Sequence, residues 1–223
     1  MKNVVLILTT IFWGNLLFAQ SQSFDTTLIN NKKSFKIHTK EINDNLALLI
    51  MSYDSKIILS DTLFSKGLAG IEFPDFNKDN NSDILIRYIG NISITQIYLF
   101  DPTSNEFKKV EGFDKFPEAI QLSSNPSYYY SYHRAGCADM NWISDLFIIN
   151  NFKTILLGHM FGQGCDNEIK TNPQVIEIYK VKNNNEQSKI LVEKLPYQKY
   201  IPNFDDKWVF IKKYWNDNTK IFK

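Results

Sequence analysis

Almost every common catalytic signature is missing from this sequence. It has no G-x-S-x-G elbow, no H-E-x-x-H pair, no P-loop and no dinucleotide-binding glycine fingerprint. Histidine is scarce: His38, His133 and His159 stand apart from one another, and none lies beside a sequence-local nucleophile. Glycine (9) and proline (7) are too few for a fibrous or disordered chain. Charge of one sign is also lacking. The formal net charge is +1 and includes Lys2, so the remainder is close to neutral and has no basic face of the kind that displaces counterions from nucleic acid. The basic doublets at Lys32–Lys33, Lys108–Lys109 and Lys212–Lys213 are scattered, as solvated strand edges are. Past the first twenty residues no apolar run approaches a bilayer span.

Those first twenty residues read as a cleaved secretory signal. Lys2 is the positive start, Val4 to Phe18 the apolar stretch, and Ala19–Gln20 the small-residue end. The expected product is a single domain over residues 21–223, delivered to the periplasm or secreted, with no cysteine placed to carry a lipid anchor. The two cysteines, Cys137 and Cys165, both lie in that domain and both sit beside glycine. In an oxidising compartment they are expected to pair and staple two loops, the alternative being a pair of unlinked buried thiols. No CxxC spacing or histidine cluster suggests a metal or redox site at either.

What is plentiful is aromatic residues, with 17 Phe and 11 Tyr, and apolar runs of period two. Strands are expected over 47–53 and 56–60 across an Asp54–Ser55 turn, then over 69–73 and 83–88. Further strands are expected over 94–100 and 107–110 across an Asp-Pro-Thr-Ser-Asn turn, over 142–149 and 153–160, and over 175–181 and 189–194. Trp208 to Tyr214 is expected to be a last strand, Phe116 to Ile120 a short helical turn, and Ser21 to Asn31 a loose lead. The fold class that follows is all-β and antiparallel: a meander, few-bladed propeller-like array, barrel or sandwich.

One segment carries recognisable chemistry. In Ile71-Glu72-Phe73-Pro74-Asp75-Phe76-Asn77-Lys78-Asp79-Asn80-Asn81-Ser82-Asp83-Ile84-Leu85-Ile86, side-chain oxygens recur at Asp75, Asn77 and Asp79, Asn81 offers its carbonyl, and Asp83 closes the set. Calcium takes six to eight oxygens, and a tight loop supplies them from alternate positions. The twelfth position is Ile86 on a strand-like run, so the loop is not an EF-hand. The segment resembles the calcium loop of FG-GAP and VCBS repeats, strand–DxNxDGxxD–strand, with Asn80 in place of the usual glycine. Asparagine is the residue that best substitutes for glycine in a left-handed conformation.

Repeat proteins of that kind carry the loop once per blade, and here it occurs once. The single loop, the export signal and the Tyr98–Phe107 hairpin together resemble the exported, propeller-like immunity proteins of xanthomonads and their relatives, which inhibit peptidoglycan-cleaving hydrolases. The resemblance implies a non-enzymatic calcium-binding protein with a cell-wall hydrolase as partner. It also implies an inserting loop, for which the Tyr-rich segment with Tyr130, Tyr132, His133 and Arg134 is the candidate, Gly162–Gln163–Gly164 lining its other side. Alternatively, Tyr128, Tyr130 and Tyr132 are one face of a strand. The competing function is a carbohydrate-binding or adhesion module of the cell surface or periplasm.

Overall fold

The computed structural model describes residues 24–165 and 174–223, so the signal segment Met1–Gln20 lies outside the described residues. Three open antiparallel sheets follow one another along the chain. The first joins β1 (Asp25–Asn30), β2 (Lys33–Asn43), β3 (Leu46–Tyr53) and β4 (Lys56–Phe64) in sequence order. The second joins β5 (Leu68–Glu72), β6 (Ile84–Tyr88), β7 (Ile94–Asp101) and β8 (Glu106–Lys109). The third contains β9 (Ile120–Gln121), β10 (Tyr128–Tyr130), β11 (His133–Arg134), β12 (Asn141–Asn150), β13 (Lys153–Gln163), β14 (Val175–Lys182) and β15 (Asn185–Pro196). Two α-helices follow, α1 (Tyr197–Tyr200) and α2 (Asp206–Asn218), and a 3-10 turn over Thr219–Phe222 comes last.

The hairpin turns use the conformation their residues permit. Asn31–Lys32, Asp54–Ser55, Asn151–Phe152 and Asn183–Asn184 all have positive φ, which matches the right-handed twist of the strands they join. The β12–β13 turn therefore falls one residue later than the expected Asn150–Asn151.

Burial explains which strands alternate and which do not. Leu28, Phe35, Leu49, Met51 and Leu63 of the first sheet pack against Ile84, Ile86, Tyr98 and Phe100 of the second. The opposite face of the second sheet, with Leu85, Ile97 and Leu99, packs against Tyr129, Phe147 and Leu156 of the third. The far face of the third sheet, with Trp142, Leu146, Met160 and Ile178, is covered by Ile211, Tyr214 and Trp215 of α2. The second sheet is covered on both faces, which is why β6 reads as an almost continuous apolar run, Ile84-Leu85-Ile86.

Two expectations fail. Trp208–Tyr214 is part of a helix, because the residues that need burial, Lys207, Ile211, Tyr214 and Trp215, recur at three- and four-residue spacing. A strand would have put Trp208, Phe210 and Lys212 on one face. Ser21–Asn31 is no loose lead where it is described: Asp25–Asn30 pairs with β2 and buries Leu28 and Asn30. The short helical turn occurs slightly earlier than expected, over Phe113–Lys115.

The cysteines are joined. The Cys137–Cys165 disulfide, with Cα atoms 5.8 Å apart, ties the turn before β12 to the end of β13. Among the described residues no helix is long and apolar enough to cross a membrane.

Candidate functional site

The acidic loop spans the gap between β5 and β6, and its ends are closed by Asp83 N–H donating to Pro74 O at 2.7 Å. Inside it, side-chain oxygens collect backbone amides. Asp75 accepts from Asp79 N–H at 3.0 Å and from Asn80 N–H at 3.1 Å. Asn77 Oδ1 accepts from Asp79 N–H at 3.2 Å, and Asp79 Oδ1 accepts from Asn81 N–H at 2.8 Å. The Asn77 and Asn81 amides both donate to the Asp79 carboxylate, at 2.9 and 3.0 Å. Such turns need a residue that tolerates positive φ, and Lys78 (60°) and Asn80 (69°) supply it. Asn80 thus takes the conformation for which a glycine would serve.

Asp83 has a different task. Fully buried, it accepts from Phe76 N–H and Phe100 N–H at 2.9 Å each, bolting the loop to β7. Burial raises its pKa to about 6, helped by the charge of Asp79 and opposed by the N–H groups of Phe100 and Phe76. Among the described residues no three acidic, histidine or cysteine side chains are gathered into a metal-holding group. Asp75, Asn77 and Asp79 nevertheless have the right chemistry for a hard cation. An ionised carboxylate has about four acceptor positions, so Asp75 and Asp79 retain some beyond those their N–H partners occupy.

The loop touches all three sheets. Asn30 of β1 exchanges hydrogen bonds with Ser82, and Gln121 of β9 donates to Asn77 O at 2.9 Å. The Phe76 ring lies parallel to that of Tyr129 on β10 at 5.2 Å and meets Phe113 edge-on at 5.3 Å. Asn30 and Gln121 were invisible as loop partners in sequence, being 52 and 44 residues from their partners.

The Tyr-rich segment is not a protruding loop. Tyr130 and Tyr132 are core residues, at 8% and 6% exposure. Tyr128, Tyr130 and Tyr132 share the helix-facing core, while Tyr129 faces the second sheet. Gly162 and Gly164 also face inward, against the rings of Trp142 and Tyr197. Of the segment's candidates only His133, half-buried, and Arg134, exposed, reach the surface, on β11.

Beside them the structure places a cleft of about 290 Å3, between the Gly90–Ser93 connection, the Pro117–Glu118 turn, β11 and the start of α2. Trp208 lines it and is 41% exposed. Neither Trp208 nor Glu118 carried a functional signal in sequence, because residues far apart in the chain make the cleft together.

No family model matches the chain, and no curated protein matches it. Among solved structures it is similar to that of a Xanthomonas type IV secretion system related protein, at 13% identity and a TM-score of 0.47, over 76% of this chain and 93% of that one. At that level the likeness says nothing of what this chain binds.

Proposed function

We propose that this is an exported, non-catalytic protein whose Asp75–Asp83 loop binds one calcium ion and which inhibits a peptidoglycan-cleaving hydrolase by covering its cleft. The observation that carries the reading is the loop itself. Oxygen donors from Asp75, Asn77 and Asp79 alternate on a turn with a left-handed Asn80, and the turn is anchored by buried Asp83 to the sheet behind it. When bound, calcium supplies the positive charge that three neighbouring carboxylates lack. Asp75, Asn77, Asp79 and the Asn81 carbonyl would hold the ion, Asp83 supporting the set from below.

The disulfide fits an oxidising compartment. Contact with an enzyme falls to Arg134 and His133 and to the neighbouring β6–β7 connection, where Ile89 is 77% and Ile92 39% exposed. Arginine flanked by exposed apolar side chains is a composition suited to a protein partner.

The test is to mix the purified protein with a panel of lysozyme-like and other peptidoglycan-cleaving hydrolases in calcium, and to follow cell-wall clearing and complex formation. Inhibition of at least one enzyme, relieved by Arg134→Ala, is expected. Full activity of every enzyme and no complex would sink the reading.

A further inference from the structure

The cleft at β11 is built to present one aromatic face among groups that both donate and accept hydrogen bonds. Trp208 stands on a locked base. Its ring packs on buried Tyr132 at 3.9 Å, and beneath it the fully buried Lys207 ammonium lies 5.1 Å from the indole and 3.6 Å from the Phe204 ring. Lys207 in turn donates to the Asp139 carbonyl and carboxylate, each at 2.9 Å, and Tyr132 Oη donates to the same carboxylate. What remains exposed of the indole is therefore held in place before any ligand arrives.

Around it, Asn91, Ser93, Glu118, His133 and Arg134 line the same cleft. Among the described residues neither Arg134 nor Glu118 has an ion-pair partner.

The backbone around this cleft is also unusual. Glu118 has φ 50°, and Cys137, Ala138 and Asp139 have φ 50°, 49° and 71°, with no glycine among them. A left-handed non-glycine residue is strained and persists only where its surroundings hold it. Here the Cys137–Cys165 bond, the Lys207–Asp139 pair and the Tyr132 N–H to Pro117 O bond do so. Two of these left-handed residues, Glu118 and Asp139, line the cleft itself.

A sugar ring matches such a surface, since it has an apolar C–H face and a rim of hydroxyls that both donate and accept. An apolar ligand would leave Asn91, Ser93 and Glu118 without partners. The guanidinium of Arg134 selects among sugars, because its planar fork pairs with a carboxylate through two parallel bonds. We propose that the cleft binds a pyranose bearing a carboxylate, its ring on Trp208, its acid on Arg134 and its hydroxyls on Asn91 and Glu118. A volume near the lower end of ligand sites, which run about 300–1,000 Å3, suits one or two rings. Saccharide binding here needs no hydrolase, so it stands or falls separately from the inhibitor reading.

The experiment is calorimetric titration of the full chain, in constant calcium and without any enzyme, with a short oligogalacturonate and with its neutral galactose counterpart. The acidic sugar is expected to bind at least tenfold tighter than the neutral one, with a change in tryptophan fluorescence. Arg134→Ala, at an exposed position, is expected to lose that preference with an unchanged melting temperature. Trp208→Ala is expected to weaken both sugars at least tenfold. No binding by the wild type, equal binding of the two sugars, or a preference that survives Arg134→Ala overturns the proposal, even if Trp208→Ala fails to fold.

Discussion

Asn30 and Ser82 exchange two hydrogen bonds, Asn30 Nδ2 to Ser82 O at 2.7 Å and Ser82 N–H to Asn30 Oδ1 at 2.9 Å. The amide side chain therefore acts as a one-residue strand partner, holding the acidic loop against the first sheet. Asn30 is buried, so its removal leaves both groups of Ser82 short of a partner. Asn30→Ala is expected to destabilise the protein by about 1–3 kcal/mol. Asn30→Asp, which keeps the acceptor but sets a carboxylate oxygen against Ser82 O, is expected to lose at least as much. Urea denaturation measures both; an unchanged midpoint in Asn30→Ala would show that the clamp contributes nothing.

If the loop binds calcium, the ion stabilises the native state by mass action. At a hundredfold excess over the dissociation constant this amounts to about 2.7 kcal/mol. Millimolar calcium is expected to raise the melting temperature above that in chelator. Asp79→Ala removes a carboxylate that orders both Asn77 and Asn81, and is expected to abolish the calcium-dependent increment. Magnesium, which demands tighter octahedral geometry, is expected to substitute poorly. Identical melting curves with calcium and with chelator would remove calcium from the account of this protein.

Asp61 on β4 supplies a pH-dependent tie between the first two sheets. It accepts from Tyr98 Oη at 2.5 Å and from Lys109 Nζ at 2.7 Å. Burial pushes its pKa up, but the Lys109 and Tyr98 hydrogen bonds and the Lys109 charge outweigh that and leave it below the usual carboxylate value. A folded-state pKa that is depressed means stability fully present above the unfolded value of about 3.9 and lost as pH falls through the folded value. The stability gap between wild type and Asp61→Asn is therefore expected to be flat from about pH 7 to 5 and to shrink below about pH 4. A gap that stays constant down to pH 3 would assign the contact no electrostatic part.

Most of the sheet architecture was legible because hairpins are local. Asp54–Ser55 and Asn183–Asn184 announce turns, and the alternating apolar residues on either side announce strands. The last helix was misread because Trp208 to Tyr214 satisfies both periods over a short window, and the burial of Lys207, Ile211, Tyr214 and Trp215 at helical spacing decides between them. Arg134 was named from its residue type, but the wall it shares with Trp208 comes from an element 74 residues away in the chain, which no local pattern encodes. The acidic loop was legible as a turn, its Asn80 conformation included, since alternate Asx residues fold back on their own amides, but the anchoring of Asp83 to Phe100 was not, because that partner is 17 residues away.

The disulfide closes a stretch with a sequence separation of 28, for which the chain-entropy model gives about 3–4 kcal/mol. It also holds the left-handed Cys137–Asp139 turn against the end of β13. The double replacement Cys137→Ser with Cys165→Ser is expected to lower stability by that amount and to raise hydrogen exchange first in residues 135–141. Uniform loss of protection across β12 and β13, with the turn no more affected than the strands, would limit the bond to its effect on the unfolded chain.

Gly162 offers the sharpest packing test. A Cβ there would lie 2.1 Å from the indole of Trp142, which is fully buried and whose Nε1 donates to Tyr197 Oη at 3.2 Å. The glycine thus provides the space into which β12 places its tryptophan, and relief would require moving a ring enclosed by core side chains. Gly162→Ala is expected to cost at least about 1–3 kcal/mol, as overpacking does. Trp142→Phe trims the ring edge that the methyl would strike, Cζ2 included, at the expense of the Tyr197 bond. Because the two residues compete for one volume, their effects are expected to be non-additive, the double variant being more stable than the sum of the single losses by about 1 kcal/mol or more. Additivity within about 0.3–0.5 kcal/mol would mean that the sheet shifts to accommodate the methyl instead, and that Trp142 is not held by its neighbours as tightly as its burial indicates.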